Sequence, residues 1–412
     1  MGNIGVLRSV DEVPAGEWEE LTEAADIDSA RGFLQFREYQ EPGDSVLFTA
    51  RSAGRLRGAL RGVMAVPRSG ATSDPWKFIG SDAVLRPADG EREDETADLR
   101  RDRRALVHAA AGEPAGAADT PLWQLLTDGV GPALVVREFD RSELWCHPGA
   151  DRAEAADLAA RLLRAAQTEA VERGAGAVAL PFVSPRDTLL REVLTEAGFR
   201  GGAMTGASWL DTAGRGSYEE FLAGLPARRR RYYRTEEERL HRAPGLSTGE
   251  ADPVAHARRI GELEAQTLIK HGGTADAEAI GRARIEIARR LPEAVRIPVV
   301  ERDGRIVACA MHLAGRRSVV FMTYGCDYGV EDRGASYPWA AFYYPVRTAV
   351  AGGATAVRLG LEGFEAKTRR GARVEARELW VWTPRASARG PLGDLLDLVG
   401  ARNTAYLRRF SD

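Results

Sequence analysis

The run Arg228-Arg229-Arg230-Arg231-Tyr232-Tyr233-Arg234 is the densest chemical feature of this 412-residue chain. Leu225-Pro226 supplies a helix start. At 3.6 residues per turn Arg228, Arg231, Tyr232 and Thr235 share one face, and Arg230 and Arg234 share another. Such a face can meet phosphates, with tyrosine available for stacking. The same arginines can instead pair along the helix with Glu236, Glu237 and Glu238, although four adjacent arginines exceed what those pairs need. Lysine is scarce: of 57 basic residues only Lys77, Lys270 and Lys367 are lysine, so each is retained against a bias toward arginine. Tyr324, Asp327 and Arg333 fall at the end of a predicted strand and in the loop after it, where α/β sheets bind ligands. Asp327 serves equally as a cap. His271, within Lys270-His271-Gly272-Gly273, reads as a substrate loop or as a plain turn. Tyr343 and Tyr344 suit core packing, and Tyr343 is also a substrate-binding candidate.

Several chemistries are excluded. There is no GxxxxGK[ST] phosphate loop, no GxGxxG after a strand and no HExxH, and the six histidines lack metal-ligand spacing. No metal or redox cofactor is expected. Gly245-Leu246-Ser247-Thr248-Gly249 matches a nucleophile elbow, but its flanks read as a turn rather than as strand and helix. Cys146, Cys309 and Cys326 lie far apart, which argues against a disulfide framework and fits a reducing cytoplasm. Cys309 alternates with apolar neighbours and reads as buried packing. A net charge of −3 removes bulk electrostatic attraction to nucleic acid, so DNA is not an expected partner and only a local basic patch remains. No apolar run reaches the roughly 18 residues of a membrane span, and the N-terminus lacks the pattern of a signal peptide. The expectation is a soluble, cytoplasmic protein.

The elements that must position these residues occur twice. Residues 45–66 and 296–314 each read as strand, glycine turn, strand, with turns at Ala53-Gly54 and Asp303-Gly304, 250 residues apart. Residues 171–180 parallel 350–359 at an offset of 179, each ending a helix with glycine and launching a strand. The offsets differ by 71, which implies an insertion in the first copy at about 68–125, where the charged run 87–104 and the Gly/Ala/Pro stretch 111–120 read as surface loop. After each hairpin come strand, long helix, strand, helix, strand. The first copy places them at 132–139, 151–173, 177–183, 186–197 and 202–210, and the second at 318–327, 338–351, 355–361, 364–370 and 376–382. Such an order gives mixed α/β sheets, twice.

This pattern resembles a tandem GNAT acyltransferase fold, in the first copy over residues 177–211. In the second copy Leu225-Pro226 with the arginine run, Asp303-Gly304-Arg305-Ile306-Val307-Ala308, Tyr324-Gly325-Cys326-Asp327 and Gly363-Phe364-Glu365-Ala366-Lys367 occur in that order. The ordered set resembles the Fem-type aminoacyl transferases and related N-acyltransferases. The resemblance implies amide-bond formation, with an acyl group moved from aminoacyl-tRNA, or from acyl-CoA, onto an amine. Lys367 falls where the Fem-type motif carries a lysine proposed to stabilise charge at the reacting carbonyl. Glu362 and Glu365 flank the same strand end, where a carboxylate can position or deprotonate the amine; both also read as surface glutamates. The GNAT pyrophosphate loop has its nearest counterpart at 332–337, making Arg333, Gly334 and Ser336 donor-phosphate candidates alongside Arg228, Arg231, Tyr232 and Arg234. Its glycine spacing departs from the pattern, which favours aminoacyl-tRNA over CoA.

The resulting expectation is an α/β protein of two tandem GNAT-like domains, 1–212 and 213–412, packed across a cleft. The second carries the chemistry, and transfers an aminoacyl group to a small-molecule or precursor amine. The rivals are an acyl-CoA-dependent enzyme and a non-catalytic module that binds a nucleotide or partner.

Overall fold

The computed structural model describes residues 3–41, 43, 45–65, 74–81, 93–112, 120–330 and 336–410. It divides into two compact units, each assembled from separate stretches of chain. The first comprises 1–25, 41–206 and 375–411; the second comprises 26–40 and 207–374, with residue 412. The contiguous cut expected at 212 therefore gives way to an exchange of segments, because 26–40 packs with the second unit and the C-terminal helix with the first.

The first unit holds strands β1 (Asn3–Leu7), β2 (Ser45–Ser52), β3 (Arg55–Met64), β4 (Ala133–Val136), β5 (Trp145–Cys146) and β6 (Ala177–Val183), and β7 (Arg200–Asp211) begins in it. The second holds β8 (Leu246–Glu250), β9 (Val295–Arg296), β10 (Pro298–Arg302), β11 (Arg305–Ala314), β12 (Ser318–Cys326) and β13 (Ala356–Leu361). β14 (Arg373–Trp382) lies mostly in the first unit, antiparallel to β6. Both expected hairpins form, β2–β3 and β10–β11. Their turns have positive φ at both central residues, 50° and 79° at Ala53-Gly54 and 51° and 77° at Asp303-Gly304, as a two-residue loop matched to strand twist requires. β6 is buried at every position and runs parallel to β4, as expected for a strand covered on both faces.

Two expectations are corrected. The inserted stretch read as loop contains the helices Pro75–Gly80, Glu93–Ala111 and Leu122–Gly129. Glu93–Ala111 packs along the C-terminal helix Ala386–Leu407, and its high charge hid the buried row Arg103, Val107, Ala110 and Ala111. Residues 82–92 and 113–119 lie outside the described residues. The Gly245–Gly249 segment turns only at Gly245, whose φ is 71°; Leu246–Glu250 forms β8, antiparallel to β10, and no helix follows it directly to make an elbow.

The 26–40 segment is pinned to the second unit by charge. Arg358 on β13 reaches Asp26 at 3.3 Å and Asp28 at 2.9 Å, Asp28 is fully buried, and Ser318 donates its hydroxyl to Asp26. Gly32 permits the close approach, since a Cβ there would meet the Arg290 carbonyl oxygen at 2.5 Å. Asp28→Ala leaves Arg358 with Asp26 as its remaining partner and removes one charge-assisted bond, so it is expected to destabilise the second unit by about 1.5–3 kcal/mol, read as a lower urea midpoint.

Candidate active site

β12 and β13 are the parallel pair in the second unit, and their pairing covers only Ser318↔Ala356, Val319↔Val357 and Val320↔Arg358. Beyond this point the strands part. β12 stays paired with β11 as far as Cys326, while β13 bulges between Arg358 and Gly360 against β7. The first unit has the equivalent parallel pair β4–β6, also three residues long. There Ser142 donates to the carbonyls of Val136, at 2.6 Å, and Pro181, bridging the two strands beyond the last pair.

Beyond the parting of β12 and β13 lie Tyr324 and Asp327, both singled out from sequence. Tyr324 on β12 is half-buried, with its hydroxyl 2.9 Å from Ser336 Oγ and Tyr337 edge-on at 5.0 Å. Burial pushes the Tyr324 phenol well above its ordinary range. Asp327 is held by Arg259 Nη2 at 3.0 Å, with Arg305 at 3.6 Å and the Gly329 amide donating at 3.1 Å. The Arg259 bond keeps its carboxyl below the usual range, and these partners make it a turn-holding group. His271 is exposed just past the helix Ala257–Lys270, whose Lys270 Nζ sits 4.1 Å from the Tyr328 ring. Arg333 and Gly334 lie outside the described residues. Sequence reading missed Thr323, whose Oγ1 is buried on β12 with no hydrogen-bond partner.

The arginine run forms the helix Ala227–Arg242, started by Pro226. Its buried side carries Tyr233 and Leu240 and turns Glu236 and Glu237 inward. Glu236 takes a two-bond fork from Arg370, 3.1 Å from Nε and 2.6 Å from Nη2, and also accepts from Tyr343. Glu237 accepts from Arg347 at 2.8 Å and Tyr218 at 3.1 Å. The Arg370 guanidinium lies 5.2 Å from the Tyr232 ring and 4.7 Å from Phe342, and Tyr233 donates to the Arg370 carbonyl at 3.0 Å. The two glutamates are thus consumed by arginines over 100 residues away in sequence. Arg228, Arg231 and Arg234 are exposed and, among the described residues, have no carboxylate partner. Tyr343 is a core residue, 1% exposed, so its hydroxyl serves the Glu236 network and does not face solvent.

Arg370 also closes the helix Phe364–Arg369, which brings the arginine helix beside the Lys367 segment. Lys367 is 5% exposed, and its Nζ donates to the carbonyls of Leu359, Gly360 and Leu361 at 2.7, 3.3 and 2.9 Å. Glu362 is half-buried with φ of 61°, and Glu365 is exposed on the helix.

The helix after residue 335 turns π-helical over Trp339–Tyr343, after the α turn Ser336–Pro338, a distortion that recurs at functional sites. His312 on β11 pins it, with Nε2 2.7 Å from the Ala340 carbonyl. A carbonyl only accepts, so Nε2 carries the proton. Burial lowers the His312 pKa from 6.5 to about 4. Between these values the unfolded chain binds a proton that the folded chain refuses, so stability falls as pH drops from 6.5 to 4. The loss is about 3 kcal/mol, and His312→Gln, which keeps the donor and cannot titrate, is expected to flatten that part of the pH–stability curve.

Among the described residues no helix is long and apolar enough to cross a membrane, and no group of three or more His, Cys, Asp or Glu side chains could hold a metal.

Comparison with known proteins bears on this arrangement. The FemAB-like family model, described as peptidoglycan biosynthesis/recognition, matches residues 144–397, more than half of the chain. The structure of FemX aligns at 10% identity and a TM-score of 0.58, covering 95% of this chain and 99% of that one. A tandem GNAT protein from the clavulanic acid biosynthesis pathway aligns at 14% identity with a TM-score of 0.43, covering 93% of this chain and 98% of that one. No curated protein sequence matches the chain. The FemX alignment establishes a shared fold, and the tandem GNAT-like, mixed α/β architecture expected from the repeat agrees with it.

Proposed function

Because the chain belongs to the FemAB-like family, we propose that it is an N-acyltransferase that takes an aminoacyl group from aminoacyl-tRNA and places it on a small-molecule or precursor amine. The observation that carries this reading is the outward face of Ala227–Arg242. With Glu236 and Glu237 drawn inward by Arg370 and Arg347, Arg228, Arg231 and Arg234 stand exposed and uncompensated, a face suited to a nucleic-acid backbone. The second unit is the reactive one. Its parallel strands part after the Val320–Arg358 pair, with Tyr324 on one diverging end and Glu362 just past the other.

In the reaction the amine lone pair attacks the ester carbonyl of the donor. The new C–N bond forms as the C–O bond to the ribose breaks, and one amine proton ends on the released ribose hydroxyl. In this reading Glu362 or Glu365 takes a proton from an incoming ammonium so that the amine attacks neutral. Tyr324 and Ser336 supply hydroxyls at the same strand end.

The test is binding of the whole protein to charged tRNA and to acetyl-CoA, side by side across a salt series. Saturable tRNA binding that weakens steeply with salt is the expected result. Tight CoA binding without tRNA binding would make the donor an acyl-CoA, and binding of neither would leave a non-catalytic module.

A further inference from the structure

The carbonyls of Leu359, Gly360 and Leu361 converge on one ammonium. Gly360 O accepts a second bond, from Ser208 Oγ at 2.9 Å. The chain that supplies these carbonyls is left-handed at three of four successive residues, with φ of 69° at Gly360, 61° at Glu362 and 63° at Gly363. Glycine adopts that conformation readily and glutamate does not. A non-glycine residue stays there only where its surroundings over-determine it. Three carbonyl dipoles aimed at one point repel each other unless a cation sits between them, and the compact lysine head fits that point. A guanidinium is a flat fork that cannot place its hydrogens around a single centre. This gives a physical reason for a lysine at 367 in a chain that writes nearly all its cations as arginine.

We propose that Lys367 is a positioning residue: its ammonium locks the left-handed turn 360–363 and so fixes Glu362 at the end of β13, just past the point where β12 and β13 part. An ammonium whose hydrogens go to backbone carbonyls cannot also meet charge on a reacting carbonyl without giving them up. Lys367 therefore acts through Glu362 and the strand end. Only the use made of Glu362 rests on the acyltransferase reading; the locking of the turn does not.

Lys367→Met keeps the side-chain length and removes the charge. In the full chain, amide hydrogen exchange across 359–364 is expected to accelerate at least tenfold, with Ala227–Arg242 unchanged, and Lys367→Arg should not restore protection. Glu362→Gly keeps the backbone conformation and releases its strain, so alone it is expected to raise the thermal midpoint. In its background the midpoint loss caused by Lys367→Met should be at most half that in the wild type, a result that stands even if the single Lys367 variant is poorly folded. In a transfer assay Lys367→Met is expected to lower kcat at least tenfold with unchanged donor Kd, whereas general destabilisation would remove binding capacity as well. Unchanged exchange in Lys367→Met, or strictly additive midpoints, overturns the proposal, and unchanged exchange with lost transfer would assign the ammonium to the chemistry itself. If wild type shows no donor binding or transfer, the acyltransferase reading fails while the exchange and midpoint results still decide the role of Lys367.

Discussion

Changing Arg228, Arg231 and Arg234 together to alanine is expected to lower affinity for an aminoacyl-tRNA about a thousandfold, since a hydrogen bond to a charged group contributes about 1.5 kcal/mol and three are lost. The slope of log K against log salt should shrink by about 2, at roughly 0.7 per single-strand phosphate. The fold should be untouched. All three side chains are exposed and without a carboxylate partner, and surface substitutions of that kind stay within about 0.5 kcal/mol each. A control with equal charge loss is Arg258→Ala, Arg282→Ala and Arg289→Ala on neighbouring helices; Arg258 and Arg282 are already paired, with Glu262 and Glu278. If both triple variants lose affinity equally, the attraction is diffuse and the arginine helix is not the donor site. If neither loses affinity, phosphate contact there is wrong.

The largest expected loss of stability comes from Glu264→Ala. Glu264 accepts two bonds from Arg284, the shorter from Nη2 and the other 2.9 Å from Nε, joining the helices Ala257–Lys270 and Ala277–Arg290. Relative exposures are 3% and 8%. Alanine at 264 leaves a guanidinium inside the protein with nothing to balance it, at about 3–5 kcal/mol. The helices meet closely as well, because Gly261 and Gly281 let each backbone approach the other; a Cβ on Gly261 would fall 2.1 Å from the Ala277 carbonyl oxygen. That contact leaves little room to swing Arg284 out to water. Replacing both partners, Glu264→Met with Arg284→Met, should restore most of the loss or exceed it, since neither charge then needs desolvation. Urea unfolding of the two single variants and the double variant separates these outcomes. Three equal losses would mean that the residues hold the helices by shape alone.

Local features of this protein were legible in the sequence because near neighbours decide them. The two hairpins announced themselves through Ala53-Gly54 and Asp303-Gly304, since only a few residue types accept positive φ at both turn positions. Cys309 was legible as core by alternation, and it is fully buried. The arginine helix was legible from its spacing and from Pro226. The helix Glu93–Ala111 was not, because its charged residues outnumber the few it buries and nothing in the window reveals the C-terminal helix lying against it.

Residue order alone carries a pair of hairpin-led α/β repeats, a basic helix and a lysine standing among arginines. Who meets whom is settled by packing. Glu236 and Glu237 have arginines three to six positions away on their own helix, yet they pair with Arg370 and Arg347. A charge pair shielded from water attracts more strongly than one on a solvated helix face, and once shielded each charge must keep its partner; shielding is a property of the packed molecule. The same holds for Lys367. Its type was visible in the sequence, but the three carbonyls around it come from a strand end that bends only once β13 is paired on both sides.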